Sequence, residues 1–469
     1  MIWLEAAKMD VQFDPELMRR HNREGPRYTS YPTALQFHER VGIADYEREA
    51  RNSAGARLCE PLSAYVHVPF CFSPCFYCGC NRVITREAGR AEPYLRQLEQ
   101  EIGLRSAYFD QARTLEQLHL GGGTPTFLTP ALLGKLLEVM GRHFSLTDAD
   151  GRDYSIEIDP RTVSSEDIHA LAALGFNRVS LGVQDFDPQV QAAVNRLQPA
   201  ALVRSLLDAS RAAGMRSINF DLIYGLPLQS LTSFELTLDQ VIAMRPDRLA
   251  VYGYAHLPSM FKAQRQIRTE DLPDAAHRLS LLQLAIGKLT SDGYQYIGLD
   301  HFALPEDSLA QAQRQGTLHR TFQGYTTHAS RDLVSFGVSA IGQVGSLFIQ
   351  NYKRLQDYGA ALARGVLPHQ RGVIANADDA IRRDVIQRIM CHGGLEFSAV
   401  ERAHGIEFED YFAPELQRVQ SLAADGLVQS AARGFALTPR GRLLMRNVAM
   451  AFDAYLARRD AAQPQSRVI

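Results

Sequence analysis

The sequence predicts an α/β fold: a partial (β/α)6 TIM-like barrel with an N-terminal arm and a small, mainly helical C-terminal domain. Two observations predict the barrel. β-rich runs recur six times between Ala64 and Tyr254, and helical patterns with recognisable ends separate them. A third observation, a change to a helical period from Asp378 onward, sets off the last part of the chain. The composition permits such a fold. With 469 residues, 46% hydrophobic and 22% charged, the chain is close to the average soluble globular protein, which excludes disorder, collagen and coiled coil as global descriptions. Lys plus Arg total 50 and Asp plus Glu 52, so the net charge of -2 offers no general basic field for nucleic acid or anionic lipid.

In chain order, residues 1–60 read as an arm without a long periodic segment, and Gly25 to Thr33 is bounded by helix breakers. The predicted strands are Ala64 to Val68, Gln117 to Leu120, Tyr154 to Ile158, Arg178 to Val183, Ser217 to Tyr224 and Arg248 to Tyr254. Ser164 opens a helix that Gly175 closes, and Pro199 opens one that Gly214 closes. Strands alternating with helices imply a parallel sheet, and successive right-handed units curl into most of a barrel; an open doubly wound sheet is the alternative. The barrel and its extension are assigned to 61–365 and the C-terminal domain to 366–469. In the latter, Ile381, Val385, Ile386 and Ile389 form one apolar face. A hairpin over Asp425 to Thr438 is followed by Arg440, Arg442 and Arg446. A DNA-binding winged helix and a small lid share that pattern, and the overall acidity favours the lid. Glu5 precedes any apolar run of signal-peptide length, and no run approaches the roughly 18 apolar residues of a membrane span. A cytoplasmic monomer is expected, without a nucleic-acid partner.

Four of the six cysteines crowd into ten residues, Cys71, Cys75, Cys78 and Cys80, on the loop leaving the first strand. In a reducing compartment this reads as metal or redox chemistry. The spacing C-x3-C-x2-C lets Cys71, Cys75 and Cys78 hold three corners of a 4Fe-4S cluster and leaves one iron open to an external chelate. Zinc is the alternative, but no second C-x2-C or His pair follows. Cys80 could supply a fourth ligand by count, whereas Cys59 and Cys391 are isolated and read as buried apolar residues. Gly121 to Gly123 follow the second strand, where glycine admits close approach of a ligand to the backbone. In the third strand Glu157 lies on the face opposite Ile156 and Ile158, and Asp221 poses the same problem in the fifth: a carboxylate inside a barrel needs a partner, either an ion pair or ligand hydroxyls. Gln184 ends the fourth strand, where barrel active sites are built, and Arg196 follows it.

The cysteine loop after the first barrel strand, with Tyr77 before Cys78 and Gly121-Gly122-Gly123-Thr124-Pro125-Thr126 after the second strand, resembles radical S-adenosylmethionine (SAM) enzymes. Gly79-Cys80-Asn81, the arm from Gly25 to Ala34, Phe322 to Thr327 and Ser466-Arg467-Val468-Ile469 make the chain similar to the family of oxygen-independent coproporphyrinogen III oxidases. The resemblance implies one 4Fe-4S cluster and two SAM molecules. Tyr65, Gly122, Glu157 and Ile341 would meet the first SAM; Tyr77, Gly123, Thr124, Gln184, Arg196, Asp221 and Ala255 would meet the second. It implies decarboxylation of two propionates of coproporphyrinogen III to vinyls, with a low-potential electron donor of flavodoxin or ferredoxin type. Related radical SAM methyltransferases and haem chaperones are the alternatives. Tyr77 departs from the phenylalanine common in the family, and its hydroxyl needs a partner if buried. Arg27 and Arg331 are candidate partners for the substrate's carboxylates.

Overall fold

The computed structural model describes residues 10–56, 60–328 and 331–456. Cys59 and the segment Ser466 to Ile469 lie outside them. The six predicted strands form as β1 (Leu62–Val68), β2 (Thr114–Gly122), β3 (Asp153–Ile158), β4 (Arg178–Gln184), β5 (Ser217–Tyr224) and β6 (Arg248–Gly253). They are parallel and adjacent in chain order, β6-β5-β4-β3-β2-β1, as successive units of a partial barrel require. A doubly wound sheet would reverse its order at a switch point, and none interrupts these six strands.

The predicted helix ends hold for local reasons. Ser164 and Asp167 make a capping box that opens Ser165–Ala173, and Gly175 follows its end at φ 96°. Pro199 precedes Ala200–Ala212, which buries Val203, Leu206 and Leu207. Along the strands, Val66, Leu118, Ile156, Val179 and Phe220 are buried on one face. Polar residues alternate with them, in rows Tyr65, His119, Ser155 and Glu157, Ser180, Asn219. The barrel interior is therefore polar, unlike the apolar layers that fill a closed TIM barrel.

The sheet continues beyond the barrel on both sides to twelve strands in line, and the short strand Ser145–Leu146 pairs beside the start of β2 as a thirteenth. On one side β7 (Gln295–Gly298) and β8 (His301–Ala303) attach antiparallel through β8 to β6; β9 (His319–Thr321) and β10 (Gly324–Thr326) form a separate hairpin. On the other side β11 (Leu333–Phe336) runs parallel to β1, followed antiparallel by β12 (Ile341–Val344), β13 (Leu347–Asn351) and β14 (His369–Ile374). A buried polar network ties this extension to the helix Ala91–Ser106. Glu101 pairs with Arg105 at 2.8 Å and accepts from Tyr358 Oη, Asn351 Nδ2 and Gly337 N–H, each at 2.7 Å.

The arm contains a helix that the sequence reading missed, Ile43–Ala56. Among its described side chains the buried stripe is Ile43 in part, Tyr46, Ala50 and Ser53, too sparse to register as a hydrophobic period. The arm is stapled to the end of the chain: Tyr28 Oη donates to Asp453 at 3.0 Å, and Asn447 Nδ2 donates to His21 O at 2.9 Å. In the C-terminal part the helix Ala377–His392 buries the predicted face, and the hairpin Val428–Ala431/Gly434–Leu437 forms as read. Arg442 and Arg446, read as flanking a possible DNA-binding hairpin, are buried instead. Arg442 holds Tyr296 O, and Arg446 holds the carbonyls of Gly25 and Pro26. Among the described residues no helix is long and apolar enough to cross a membrane.

Candidate active site

The cysteine loop leaves the C-terminal end of β1, and its two ends are clamped together. Phe70–Cys71 pairs in parallel with Val83–Ile84, where Val83 N–H donates to Pro69 O at 2.7 Å and Thr85 N–H to Cys71 O at 3.0 Å. Inside the clamp, the Arg82 guanidinium donates to Cys78 O at 2.8 Å and Cys75 O at 3.1 Å. From outside, Asn195, at φ 55°, donates to Pro74 O at 2.7 Å, and Phe76 N–H donates to Val194 O at 3.0 Å. The loop is thereby fixed by backbone contacts at both ends and in the middle.

Three guanidiniums surround the thiols. Arg196 and Arg161 donate to Cys75 Sγ at 3.3 and 3.4 Å, and both pair with Asp159, at 3.2 and 2.7 Å. Thr124 Oγ1 donates to Cys71 Sγ at 3.5 Å. Burial pushes the Cys71 thiol up to about 11. The thiol of Cys80 and the charge of Arg82 hold Cys78 below the ordinary thiol value against burial. Cys80 itself is raised by its hydrogen bond with the Cys78 thiol.

The strand ends supply the other wall. Glu157 accepts from Gly122 N–H at 3.0 Å and from His119 Nε2 at 3.3 Å, and His119 also meets Ser155 Oγ at 2.7 Å. Burial raises the Glu157 carboxyl and these hydrogen bonds outweigh it, leaving the pKa below the usual value. Asp221 goes the other way: burial and the neighbouring Glu157 outweigh hydrogen bonds from Ser180 and Asn219, each 2.9 Å, and push it up to about 6. Two glycines leave room for this arrangement. Gly122, at φ 115°, would bring a Cβ within 2.5 Å of the His67 ring, and a Cβ on Gly182 would lie 2.7 Å from Arg196 Nη2. Gln184 ends β4 in the left-handed region at φ 68°, a strained conformation for a residue with a side chain.

Eleven of the fourteen predicted site residues line one cavity of about 270 Å³: Cys71, Cys75, Cys78, Tyr77, Gly122, Gly123, Thr124, Glu157, Gln184, Arg196 and Asp221. Three do not. Tyr65 stands one turn of the pleat below, stacked on His119 at 5.8 Å with its hydroxyl on His67. Ile341 packs against the cluster of Phe37 and Phe348. Ala255 is exposed, and its carbonyl accepts from Gln264, which also holds Tyr77 O. Sequence reasoning missed Arg82, Asp159, Ser180, Gly182 and Tyr252 on the cavity wall, and Arg161 behind it. Period 2 from Glu157 reaches Asp159, and from Gln184 it reaches Gly182 and Ser180, so those three were accessible. Of the guessed arginines, Arg27 pairs with Asp300 and lies 6.0 Å over the ring of Tyr252, beside the cavity. Arg331 is elsewhere: it pairs with Glu116 at 2.7 Å, near the start of β2.

Comparison with known proteins agrees with this arrangement. Residues 65–241 match the model of the radical SAM superfamily, and residues 375–444 match that of the HemN C-terminal domain. The oxygen-independent coproporphyrinogen III oxidase of Pseudomonas aeruginosa is 50% identical over 95% of this chain and 96% of its own; that of Escherichia coli is 46% identical over 98% and 99%. The solved structure of coproporphyrinogen III oxidase (HemN) from Escherichia coli, described as a radical SAM enzyme, superposes with a TM-score of 0.90 at 44% identity, covering 95% of this chain and all of the other. Barrel, cysteine loop and cavity thus define a radical SAM enzyme, an oxidoreductase. Within that class, the chain belongs to the family of oxygen-independent coproporphyrinogen III oxidases.

Proposed function

We propose that this enzyme converts two propionates of coproporphyrinogen III to the vinyls of protoporphyrinogen IX without oxygen, as a step of haem biosynthesis. The observation that carries the reading is the convergence of Cys71, Cys75 and Cys78 with Gly122, Glu157 and Asp221 on one cavity. The donor set suits a 4Fe-4S cluster: three thiols, flanked by Arg82, Arg161 and Arg196, can hold an anionic cluster in a site whose charge they offset. When bound, that cluster would supply the electron that cleaves SAM to methionine and a 5'-deoxyadenosyl radical; the radical would take a hydrogen atom from the propionate β-carbon, and loss of CO2 and of one electron to an external acceptor would leave the vinyl group.

The chain's own residues position and shield. The carboxylate of Glu157, kept ionised by His119 and Gly122, accepts hydrogen bonds from ribose hydroxyls of the SAM beside the cysteines. Gly122 lets that ligand approach the backbone closely. Gly123, Thr124, Gln184, Arg196 and Asp221, with Tyr77, would receive a second SAM. Arg196 also fixes the loop through Cys75, and the arm, carrying Arg27, excludes water from the mouth of the barrel. The reading includes a low-potential electron donor of flavodoxin or ferredoxin type, a monomeric chain working in the cytoplasm, and the three units 1–60, 61–365 and 366–469.

The test is anaerobic reconstitution with iron and sulfide, then dithionite, SAM and coproporphyrinogen III. Vinyl product together with 5'-deoxyadenosine supports the reading. S-adenosylhomocysteine would replace it with methyl transfer, and stoichiometric haem binding without turnover would replace it with a chaperone role.

A further inference from the structure

A second cavity, of about 500 Å³, lies at the other end of the barrel. Leu333, Ser63 and Gln117 line it from one row across β11, β1 and β2. The cysteine loop leaves β1 after Val68, so at about 3.3 Å per residue the two sites are roughly 16 Å apart along the strand. The second cavity is walled by cations from separate elements: Arg320 on β9, Arg331 on the segment before β11, which pairs behind the wall with Glu116 at 2.7 Å, and Arg383 and Arg388 on the helix Ala377–His392. Among the described lining residues Asp384 is the sole acid, and it is engaged by Arg388 at 2.8 Å and His404 at 3.1 Å.

Arg320 is the telling residue. It is 5% exposed, its Nε donates to Arg27 O at 3.3 Å, and its buried Nη1 has no hydrogen-bond partner. Its guanidinium lies 4.7 Å from the centroid of the Tyr325 ring, and no ion pair with a described carboxylate neutralises it. Holding an unneutralised guanidinium out of water is costly, so its retention on a cavity wall points to an anionic ligand. Cations on three walls suit several anionic groups spread over one molecule better than a single small ion. The guanidinium fork matches a carboxylate, and the volume is that of a small-molecule site.

We infer that this cavity is a non-catalytic site for a polycarboxylate of the tetrapyrrole class, gripped by its propionates away from the thiols; the inference rests on coproporphyrinogen III being the substrate. Each decarboxylation removes one of the groups the site grips, so it retains unreacted substrate in preference to product.

The experiment titrates the cluster-loaded enzyme, without oxygen or reductant, with coproporphyrin III, protoporphyrin IX and coproporphyrin III tetramethyl ester, which carry four, two and no free carboxylates. Inorganic phosphate is the competitor. Gln343→Glu adds a negative charge to the wall without truncating a buried side chain, and Arg320→Met removes the central cation. The wild type is expected to bind coproporphyrin III at two sites per chain. Either variant should weaken one of them by about tenfold or more, Arg320→Met by losing a charged hydrogen bond and Gln343→Glu by setting a like charge against the ligand's carboxylates, while Glu157→Gln leaves that site within about twofold. A single site per chain, a tetramethyl ester that binds the site as tightly as the acid, cavity variants that bind like wild type, or displacement by phosphate at equal concentration would each overturn the inference. Turnover measured in parallel separates the two readings: absence of vinyl product with the second site intact counts against the proposed reaction and not against the site.

Discussion

Asp221→Asn should become progressively more favourable to the stability of the ligand-free protein as pH rises. In the folded chain burial and Glu157 push the Asp221 carboxyl from its ordinary 3.8 up to about 6. The folded state therefore binds this proton more tightly than the unfolded one, so stability falls as pH rises from 3.8 through 6. Below both values the carboxyl is protonated in either state and costs nothing. At pH 7.5 it is ionised in both, and the penalty is about 3 kcal/mol; at pH 5 it is about 1.6 kcal/mol. The amide removes that charge, at the expense of weakened hydrogen bonds from Ser180 and Asn219, worth about 0.5–1.5 kcal/mol each at either pH. The difference between the two conditions is thus the clean quantity. Urea unfolding of both proteins at pH 5 and 7.5, compared at constant m, should show Asp221→Asn gaining about 1.4 kcal/mol more at the higher pH. An equal effect at the two pH values would refute the assignment of a raised pKa to this carboxyl.

Two further outcomes test the scaffold around the site. Glu101→Gln leaves Arg105, which is 1% exposed, without its carboxylate, and should cost about 3–5 kcal/mol in urea unfolding; a change below about 1 kcal/mol would mean that Asn351 and His369 suffice for that guanidinium. Gly182→Ala places a Cβ 2.7 Å from Arg196 Nη2 and should displace that guanidinium from Cys75 Sγ and Asp159. Loss of one charged hydrogen bond predicts about tenfold or greater weakening of iron retention, read as iron per chain after anaerobic gel filtration. Iron content equal to wild type would remove Arg196 from the support of the cysteine loop.

Much of this site could be read before any fold was known. The spacing of Cys71, Cys75 and Cys78, the strand ahead of them, and the carboxylates Glu157 and Asp221 on the polar face of alternating strands are local patterns, because period 2 and loop length are properties of contiguous residues. The caps at Ser164 and Pro199 are local in the same sense. What the sequence did not reveal depends on approach between distant segments. Arg161 and Arg196 meet at Cys75 because the loops after β3 and β4 converge on the cysteine loop, and Gly182 matters only because Arg196 crosses it. The arm illustrates the same limit: its Gly25 and Pro26 carbonyls are held by Arg446, about 420 residues later, a contact that no local period encodes.

The sequence by itself determined the chemistry on offer: three thiols, two interior carboxylates and the strand ends that carry them. The tertiary structure alone decided which side chains share a cavity, drawing in Arg82, Asp159, Ser180 and Tyr252 and leaving Tyr65, Ile341 and Ala255 outside. The physical reason is that alternation assigns a side chain to a face of its own strand. Which faces meet, and which cation ends beside which sulfur, is set by sheet register and by how the loops close over the strand ends.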